Sequence, residues 1–159
     1  MNPAHLHLIL NHLPVMATLC GIVVMIYGMV KKSNVTLNAS CLLFILASAG
    51  GILTYVTGEP AEEIVEGINQ ISESSIEEHE DSAGIALALI IMQGIMAAAG
   101  IWINANRPML AAKFFRILFI FSFLCVLMVA RTGYLGGLIR HTEVSATPSS
   151  TNHDHEHDD

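Results

Sequence analysis

The sequence predicts an all-α integral membrane protein, an up-down four-helix bundle with an acidic helical loop on its outer face and a disordered tail. Its 159 residues are 53% hydrophobic and 13% charged, with a mean hydropathy of +0.57, whereas soluble domains carry about 25% charged residues. Four continuous apolar runs reach the length of about 20 residues that a spanning helix needs, and none alternates as a barrel strand would. These runs cover residues 6–30, 37–57, 83–104 and 114–138.

The first run begins with a histidine-rich stretch that reads HLHLILNHLP. Pro14 lacks an amide hydrogen and crowds the carbonyl group four residues earlier, so we predict that the helix starts or kinks here. In a continuous helix His5 and His12 would share a face, and His7 would lie on another. If these histidines have only a structural role, their rings form hydrogen bonds with water or with the backbone. For His12 a ligand role is an equal alternative, because an ionisable group inside a membrane is by default a functional candidate.

The connections between the apolar runs differ in charge, and this asymmetry predicts the orientation of the protein. Basic residues lie in the first and third connections: Lys31, Lys32, Arg107, Lys113 and Arg116. All fourteen acidic residues fall on the opposite side, which also holds both termini. The positive-inside rule then places these connections in the cytoplasm and both termini outside it, in the periplasm if the cell is Gram-negative. Its outer surface, acidic within a net charge of −7, disfavours nucleic acid and favours cations or basic partners.

An acidic, helix-permitting loop precedes the third run. Pro60 lies near one helix start, Gly67 marks a break, and Ser74 or Ser75 can cap a second short helix that feeds into the third run. His79, within the sequence EEHED, then lies on the first turns of the third helix. A solvated run of charges accounts for the acids. It accounts less well for His79, which points along the bundle if that helix is continuous.

The fourth run ends with the sequence RTGYLGGLIRH, in which Arg131 lies inside an apolar helix. A cation there is costly unless it is paired, either with a glutamate of the acidic loop or with an anion such as a haem propionate. Arg140 could bind the same anion from the surface. Three glycines near this end allow close helix packing or the close approach of a flat cofactor: Gly133, Gly136 and Gly137.

The remaining features are structural. Residues 1–143 form the predicted four-helix domain, and residues 144–159 form a His/Asp-rich tail whose composition cannot build a core. Gln93 is polar at the middle of the third run and is expected to bond across to a neighbouring helix. The cysteines fall inside apolar runs without a CxxC spacing, so we expect small buried hydrophobic side chains rather than a disulfide framework: Cys20, Cys41 and Cys125.

The alternation of the helices is expected to bring distant histidines into one layer at the outer face. In an up-down-up-down bundle the beginnings of the first and third helices lie beside the ends of the second and fourth. His12, His79 and His141 would therefore converge, and imidazole is a ligand for haem iron and for other metals. This layer, more than any single residue, is the functional signal in the sequence.

Two of these motifs resemble those of a family of small bacterial four-helix membrane proteins of poorly defined function, which carry an N-terminal H-x4-H-[FL]-P motif and a C-terminal G-G-x-[LI]-x-x-H motif. The first is matched by HLILNHLP, from His7 to Pro14. The second is approximated, one residue shorter, by GGLIRH, from Gly136 to His141. His79 also fits, and the resemblance covers nearly all of the chain before the tail. It implies a histidine layout similar to that of membrane cytochromes b, although the long acidic loop and the tail depart from the pattern.

The leading hypothesis is a b-type haem protein that transfers electrons at the outer face, more an electron carrier than an enzyme with its own substrate. Arg131 and Arg140 would hold the propionates, and axial ligation and burial would set the potential. A quinol or a periplasmic redox protein would be the partner, in addition to membrane lipid and a homo-oligomer or larger complex. Two of four histidines would be the axial ligands, and all four would permit a second haem: His7, His12, His79 and His141.

The main alternative is a non-haem metal protein for uptake or sensing. His79 with a neighbouring glutamate such as Glu78, joined by His12 and His141, could bind copper, zinc or iron, and the tail would gather metal. A third hypothesis is an accessory subunit whose histidines are structural. The chain contains no nucleophile elbow, phosphate loop or dinucleotide motif.

Overall fold

A computed structural model of the protein describes residues 3–65 and 73–140, and within these ranges it contains helices and no strand. Along the chain the helices are α1 (Pro3–Leu10), α2 (His12–Lys31), α3 (Asn34–Val56), α4 (Gly58–Val65), α5 (Glu73–Asn106) and α6 (Pro108–Arg140). Four helical spans are long and apolar enough to cross a membrane, namely α1 with α2, then α3, α5 and α6. The predicted all-α four-helix bundle is confirmed, and the protein is a multi-pass membrane protein whose apolar outer surface contacts lipid.

The break between α1 and α2 lies where the proline predicted it. Pro14 has no amide hydrogen to donate to the carbonyl group of Leu10, so one bond of the helical ladder is missing. The amide of Asn11 still bonds to the carbonyl oxygen of His7 at 3.0 Å. The chain therefore continues through the break, and α1 and α2 form one span of 29 residues.

The third span begins earlier than its apolar run because polar, helix-forming residues extend it. α5 starts at Glu73 and runs unbroken to Asn106. The predicted helical segment does lead into the third run, but the cap position predicted at Ser74 or Ser75 is wrong, because the helix already includes both serines. The break predicted at Gly67 lies outside the described residues, as does the tail.

Helices α2, α3, α5 and α6 pack in a ring, each against the next, and α6 returns to α2. Close approach depends on small residues. A Cβ atom at Gly21 would lie 2.5 Å from Cε1 of Phe44, and one at Gly94 would lie 2.6 Å from Cβ of Ser48. The centre of the bundle is filled by fully buried side chains: Met25, Cys41, Phe44, Ala97, Phe115 and Leu118.

Two expectations about residues inside the spans fail. Cys41 and Cys125 are buried as predicted, but Cys20 is exposed on the outside of the bundle, where lipid accepts a small apolar side chain as readily as the core does. Gln93 is fully buried, yet neither polar atom of its amide has a hydrogen-bond partner among the described residues. The bond that was expected to join it to a neighbouring helix is not formed.

Polar groups anchor the N-terminal end of α3. Ser33 caps the helix by accepting a hydrogen bond from the amide of Thr36 at 3.3 Å. At the same end, the Asn104 amide donates to Oδ1 of Asn38 at 2.9 Å and ties α5 to α3. Since this end also carries Lys31, it is called the lysine end. The other end, which carries His7 and His79, is called the histidine end.

Candidate functional site

The histidine end combines parts of four helices. α1 supplies His7, the beginning of α5 supplies His79, and the last turns of α3 and α6 supply the groups that bond to them. The amphipathic helix α4 follows α3 directly and packs mainly against α1. The up-down topology predicted this meeting of distant segments.

His7 is half-buried between α1 and the end of α3. Its Nδ1 atom lies 3.0 Å from the carbonyl oxygen of Thr54 and 3.3 Å from the hydroxyl of Thr57. Because a carbonyl oxygen only accepts, Nδ1 of His7 carries the proton and donates it. The lone pair of the neutral ring is then on Nε2, which has no hydrogen-bond partner among the described residues.

His79 is half-buried in the same way between α5 and α6. Its Nδ1 atom lies 3.0 Å from the carbonyl oxygen of Thr132, so the same reasoning places the lone pair of the neutral ring on Nε2. Gly136 lies directly against the ring, and a Cβ atom there would be 2.9 Å from Cε1 of His79. The sequence allowed this glycine to serve helix packing or a flat cofactor, and in the structure it makes room for the imidazole.

Two hydroxyl groups fix the side chain of Thr132, the residue whose carbonyl oxygen orients His79. The hydroxyl of Thr132 donates to the carbonyl oxygen of Met128 at 3.0 Å, so the fully buried hydroxyl of Ser82, 2.8 Å away, donates to Thr132. Sequence reasoning missed both residues. Their spacing was the available signal, because Ser82 lies one turn after His79 and Thr132 one turn before Gly136.

His7 and His79 lie at the same end of the bundle. They come from opposite sides of the bundle, since one is anchored to α3 and the other to α6. Each ring has its Nδ1 atom occupied by a backbone carbonyl group and its Nε2 atom unbonded within the described part of the chain. The histidine end therefore contains two imidazoles of matching tautomer whose metal-binding nitrogens are available.

The other N-terminal histidines face outward. His12 is exposed, and its Nδ1 atom bonds to the carbonyl oxygen of Leu8, one turn earlier in its own chain segment, at 2.7 Å. His5 is exposed as well. The structure thus leaves His7, rather than His12, half-buried at the end of the bundle that carries His79, because residues five apart on a helix point to different sides.

Arg131 forms an ion pair with Glu78, with 3.0 Å between the guanidinium nitrogen and the carboxylate oxygen. Their side chains are 47% and 59% exposed on the outside of the bundle, so Arg131 is not packed in the protein interior. The glutamate partner considered from the sequence is the one that the structure contains. The side chain of Arg140 and the whole of His141 lie outside the described residues.

The surroundings are open next to the last turns of α6. A Cβ atom added at Gly133 or Gly137 would meet no atom of the described chain within 4 Å. Among the same residues, no group of three or more histidine, cysteine, aspartate or glutamate side chains is arranged to hold a metal ion. The half-buried histidines in the described part of the protein are His7 and His79.

Comparisons with protein-family models, with curated proteins and with solved structures find no match to this chain. The resemblance drawn from the two histidine motifs stays a prediction.

Proposed function

We propose that this protein is a membrane b-type haem protein that transfers electrons at its outer face, with His7 and His79 as the two axial ligands. The observation that carries the proposal is the presence of two half-buried histidine rings at one end of the bundle. Both Nδ1 atoms bond to backbone carbonyl groups, and both Nε2 atoms are without partners among the described residues.

The tautomer of both histidines suits iron ligation. A histidine that binds a metal through Nε2 usually donates its Nδ1 hydrogen to a carbonyl or carboxylate oxygen, and this bond fixes the ring orientation and increases the basicity of the ligating atom. Thr54 and Thr132 would provide that oxygen for His7 and His79.

The number of ligands favours haem over the non-haem alternative. A haem needs only two axial ligands from the protein, since the porphyrin supplies the other four. A structural zinc site needs four protein ligands and a catalytic one needs three. No cluster of three is arranged for this among the described residues, so a copper, zinc or iron site would depend on residues outside them, such as His141 or the tail.

The residues beside the pair suit a flat, anionic cofactor. Gly133 and Gly137 leave open space along α6. Arg131 and Glu78 are the immediate chain neighbours of Thr132 and His79, and their ion pair is exposed. Arg131 can therefore turn to a propionate without leaving a buried charge unpaired, and Arg140 would add a second cation near the end of the same helix. Bound haem would carry one electron at a time between Fe(II) and Fe(III).

We further propose that the histidine end faces the periplasm. The lysine end carries the basic connections, and the acidic residues lie at the opposite end, as the positive-inside rule expects of a bacterial inner-membrane protein. A quinol in the membrane would serve as electron donor and a redox protein at the outer face as acceptor. A reporter that is active only in the cytoplasm should be active after Ser33 and silent after Asp159. The reverse pattern would contradict the orientation.

The direct test is the optical spectrum of the detergent-purified protein from haem-replete cells. We expect a Soret band and sharp α and β bands on reduction, as for low-spin iron with two histidine ligands. His7→Ala and His79→Ala should each abolish or shift these bands. His12→Ala is the matched control and should preserve them, because its ring faces outward.

Other outcomes would contradict the proposal in distinct ways. Loss of the spectrum in His12→Ala but not in His7→Ala would mean that the pairing is wrong. A colourless protein with stoichiometric copper or zinc would replace haem by the non-haem alternative. A colourless, metal-free and stable protein would support the accessory subunit with structural histidines.

A further inference from the structure

Gln93 is the one side chain in the described part of the chain whose amide nitrogen and oxygen are both buried without a hydrogen-bond partner. It lies on α5 and is fully buried. Leaving a buried polar group unsatisfied costs about 1–3 kcal/mol, and buried amides in native proteins are nearly always bonded to protein or to ordered water. A residue that carries two such groups points to a partner that is not part of the chain.

Hydroxyl groups from the three other spans lie near the level of Gln93. The next residue, Gly94, is in contact distance of Ser48 on α3. The contact between Leu89 and Cys125, continued by one turn in the antiparallel register, places Ser122 of α6 opposite Gln93.

Helix α2 also contributes a hydroxyl group at this level. Gly21 of α2 lies against Phe44 of α3, and this register brings Thr18 to within about one residue of the level of Ser48. Thr18 and Ser122 are at most 1% exposed. Each of the four spans therefore presents one polar side chain to the interior at this level.

The hydrogen-bonding state of the hydroxyls identifies what the partner must offer. Thr18 donates to the carbonyl oxygen of Pro14, and Ser122 donates to that of Leu118, both at 2.7 Å. Both hydroxyls have used their hydrogen and can only accept further bonds. Gln93 offers one oxygen that accepts and one NH₂ group that donates. A partner must therefore both donate and accept, and none of the described residues at this level carries a charged side chain that could hold an ion.

We propose that this layer of Gln93, Thr18, Ser48 and Ser122, called here the midplane polar layer, is a binding site for ordered water. Water can accept from the Gln93 amide nitrogen while it donates to the amide oxygen and to one hydroxyl oxygen, and buried waters typically make about three such bonds.

The midplane polar layer is separated from both ends of the bundle. On the histidine side lies a buried apolar cluster: Ala86, Ile90, Cys125 and Val129. On the lysine side lies the larger core around Met25, Phe44 and Leu118. The bound water is therefore enclosed and joins the four helices, rather than forming part of a continuous path from one face to the other.

Transfer of magnetisation from water to the Gln93 side chain tests the proposal directly. The chain has two glutamines, Gln70 and Gln93, so in a Gln70→Asn variant with ¹⁵Nε2-labelled glutamine the one side-chain amide signal belongs to Gln93. In proteoliposomes we expect rapid transfer from water to this signal, in contrast to the backbone amide of Phe44 in the apolar core. An equally slow transfer for both groups would overturn the proposal.

The sign of a stability change provides a second, independent test. Gln93→Met keeps the length of the side chain but removes both polar atoms. If water binds here, the variant leaves that water short of partners, and the melting temperature in detergent should fall. If the amide is dry and unbonded, removing it should raise the melting temperature, which would overturn the proposal. Ile90→Met, about one turn away in the apolar cluster, reports the effect of methionine itself.

Discussion

Gly136→Ala is expected to disturb His79 while leaving the rest of the bundle unchanged. The new Cβ atom would lie 2.9 Å from Cε1 and 3.3 Å from Nδ1 of the His79 ring. Real Cβ atoms are essentially never found within 3.0 Å of a heavy atom from another part of the fold, so the ring must move. It is held by the 3.0 Å hydrogen bond from Nδ1 to Thr132, and this bond is the contact that a displaced ring loses.

The expected change in the free energy of unfolding is the sum of one favourable and two unfavourable contributions. Alanine is favoured over glycine inside a helix by about 0.5–1 kcal/mol. Forcing an extra methyl group into a packed site costs about 1–3 kcal/mol. Loss of the His79 hydrogen bond adds about 0.5–1.5 kcal/mol. Together these values give a net loss of roughly 2 kcal/mol in the free energy of unfolding.

Titration with sodium dodecyl sulfate in mixed micelles, followed by circular dichroism, measures this free energy. Gly133→Ala and Gly137→Ala on the same helix are matched controls, because a Cβ atom at either position meets nothing within 4 Å. They should leave stability unchanged or raise it slightly. Combining Gly136→Ala with His79→Ala should remove the penalty, since the ring that collides is then absent. Gly136→Ala behaving like the two controls would refute the placement of His79 against α6.

Three further changes test the packing, the cap and the ion pair, with the same unfolding measurement. Gly21→Ala should lower stability by about 1–3 kcal/mol, because its Cβ atom would lie 2.5 Å from the ring of Phe44, whereas Gly84→Ala, which meets nothing within 4 Å, should not. Ser33→Ala should cost about 1 kcal/mol through loss of the cap of α3, and Ser33→Asp should largely preserve stability. We expect the ion pair of Arg131 to stand in water beyond the lipid, so Arg131→Ala should cost less than about 1 kcal/mol; a larger loss would place the pair within the lipid.

Several features of the fold follow from composition and order alone. Four long apolar runs must form helices in a membrane, because no other open structure satisfies the backbone there. The alternation of spans then fixes which ends lie together, so a layer that contains His79 and one of the N-terminal histidines was predictable. The break near Pro14 was equally local, since it follows from one missing amide hydrogen.

The pairing within that layer was decided by tertiary structure. His7 and His12 belong to the same motif, and nothing local to the sequence states which of them faces inward. That choice depends on the rotation of α1 and α2 about their axes, which is set by their packing against α3. The same is true of Arg131, whose exposure depends on how the end of α6 sits beside α5.

The groups that hold or surround the buried polar side chains could not be predicted from the sequence either. Thr132 holds His79 through a backbone carbonyl group, and a carbonyl group has no signature in the residue code. Gly136 and the unpartnered amide of Gln93 acquire their meaning from the register between neighbouring helices. Sequence therefore determined the spans and the end at which the histidines gather, because those depend on hydrophobic length and chain order. Only packing determined which nitrogens are free and which helices hold them, because those depend on helix rotation and register.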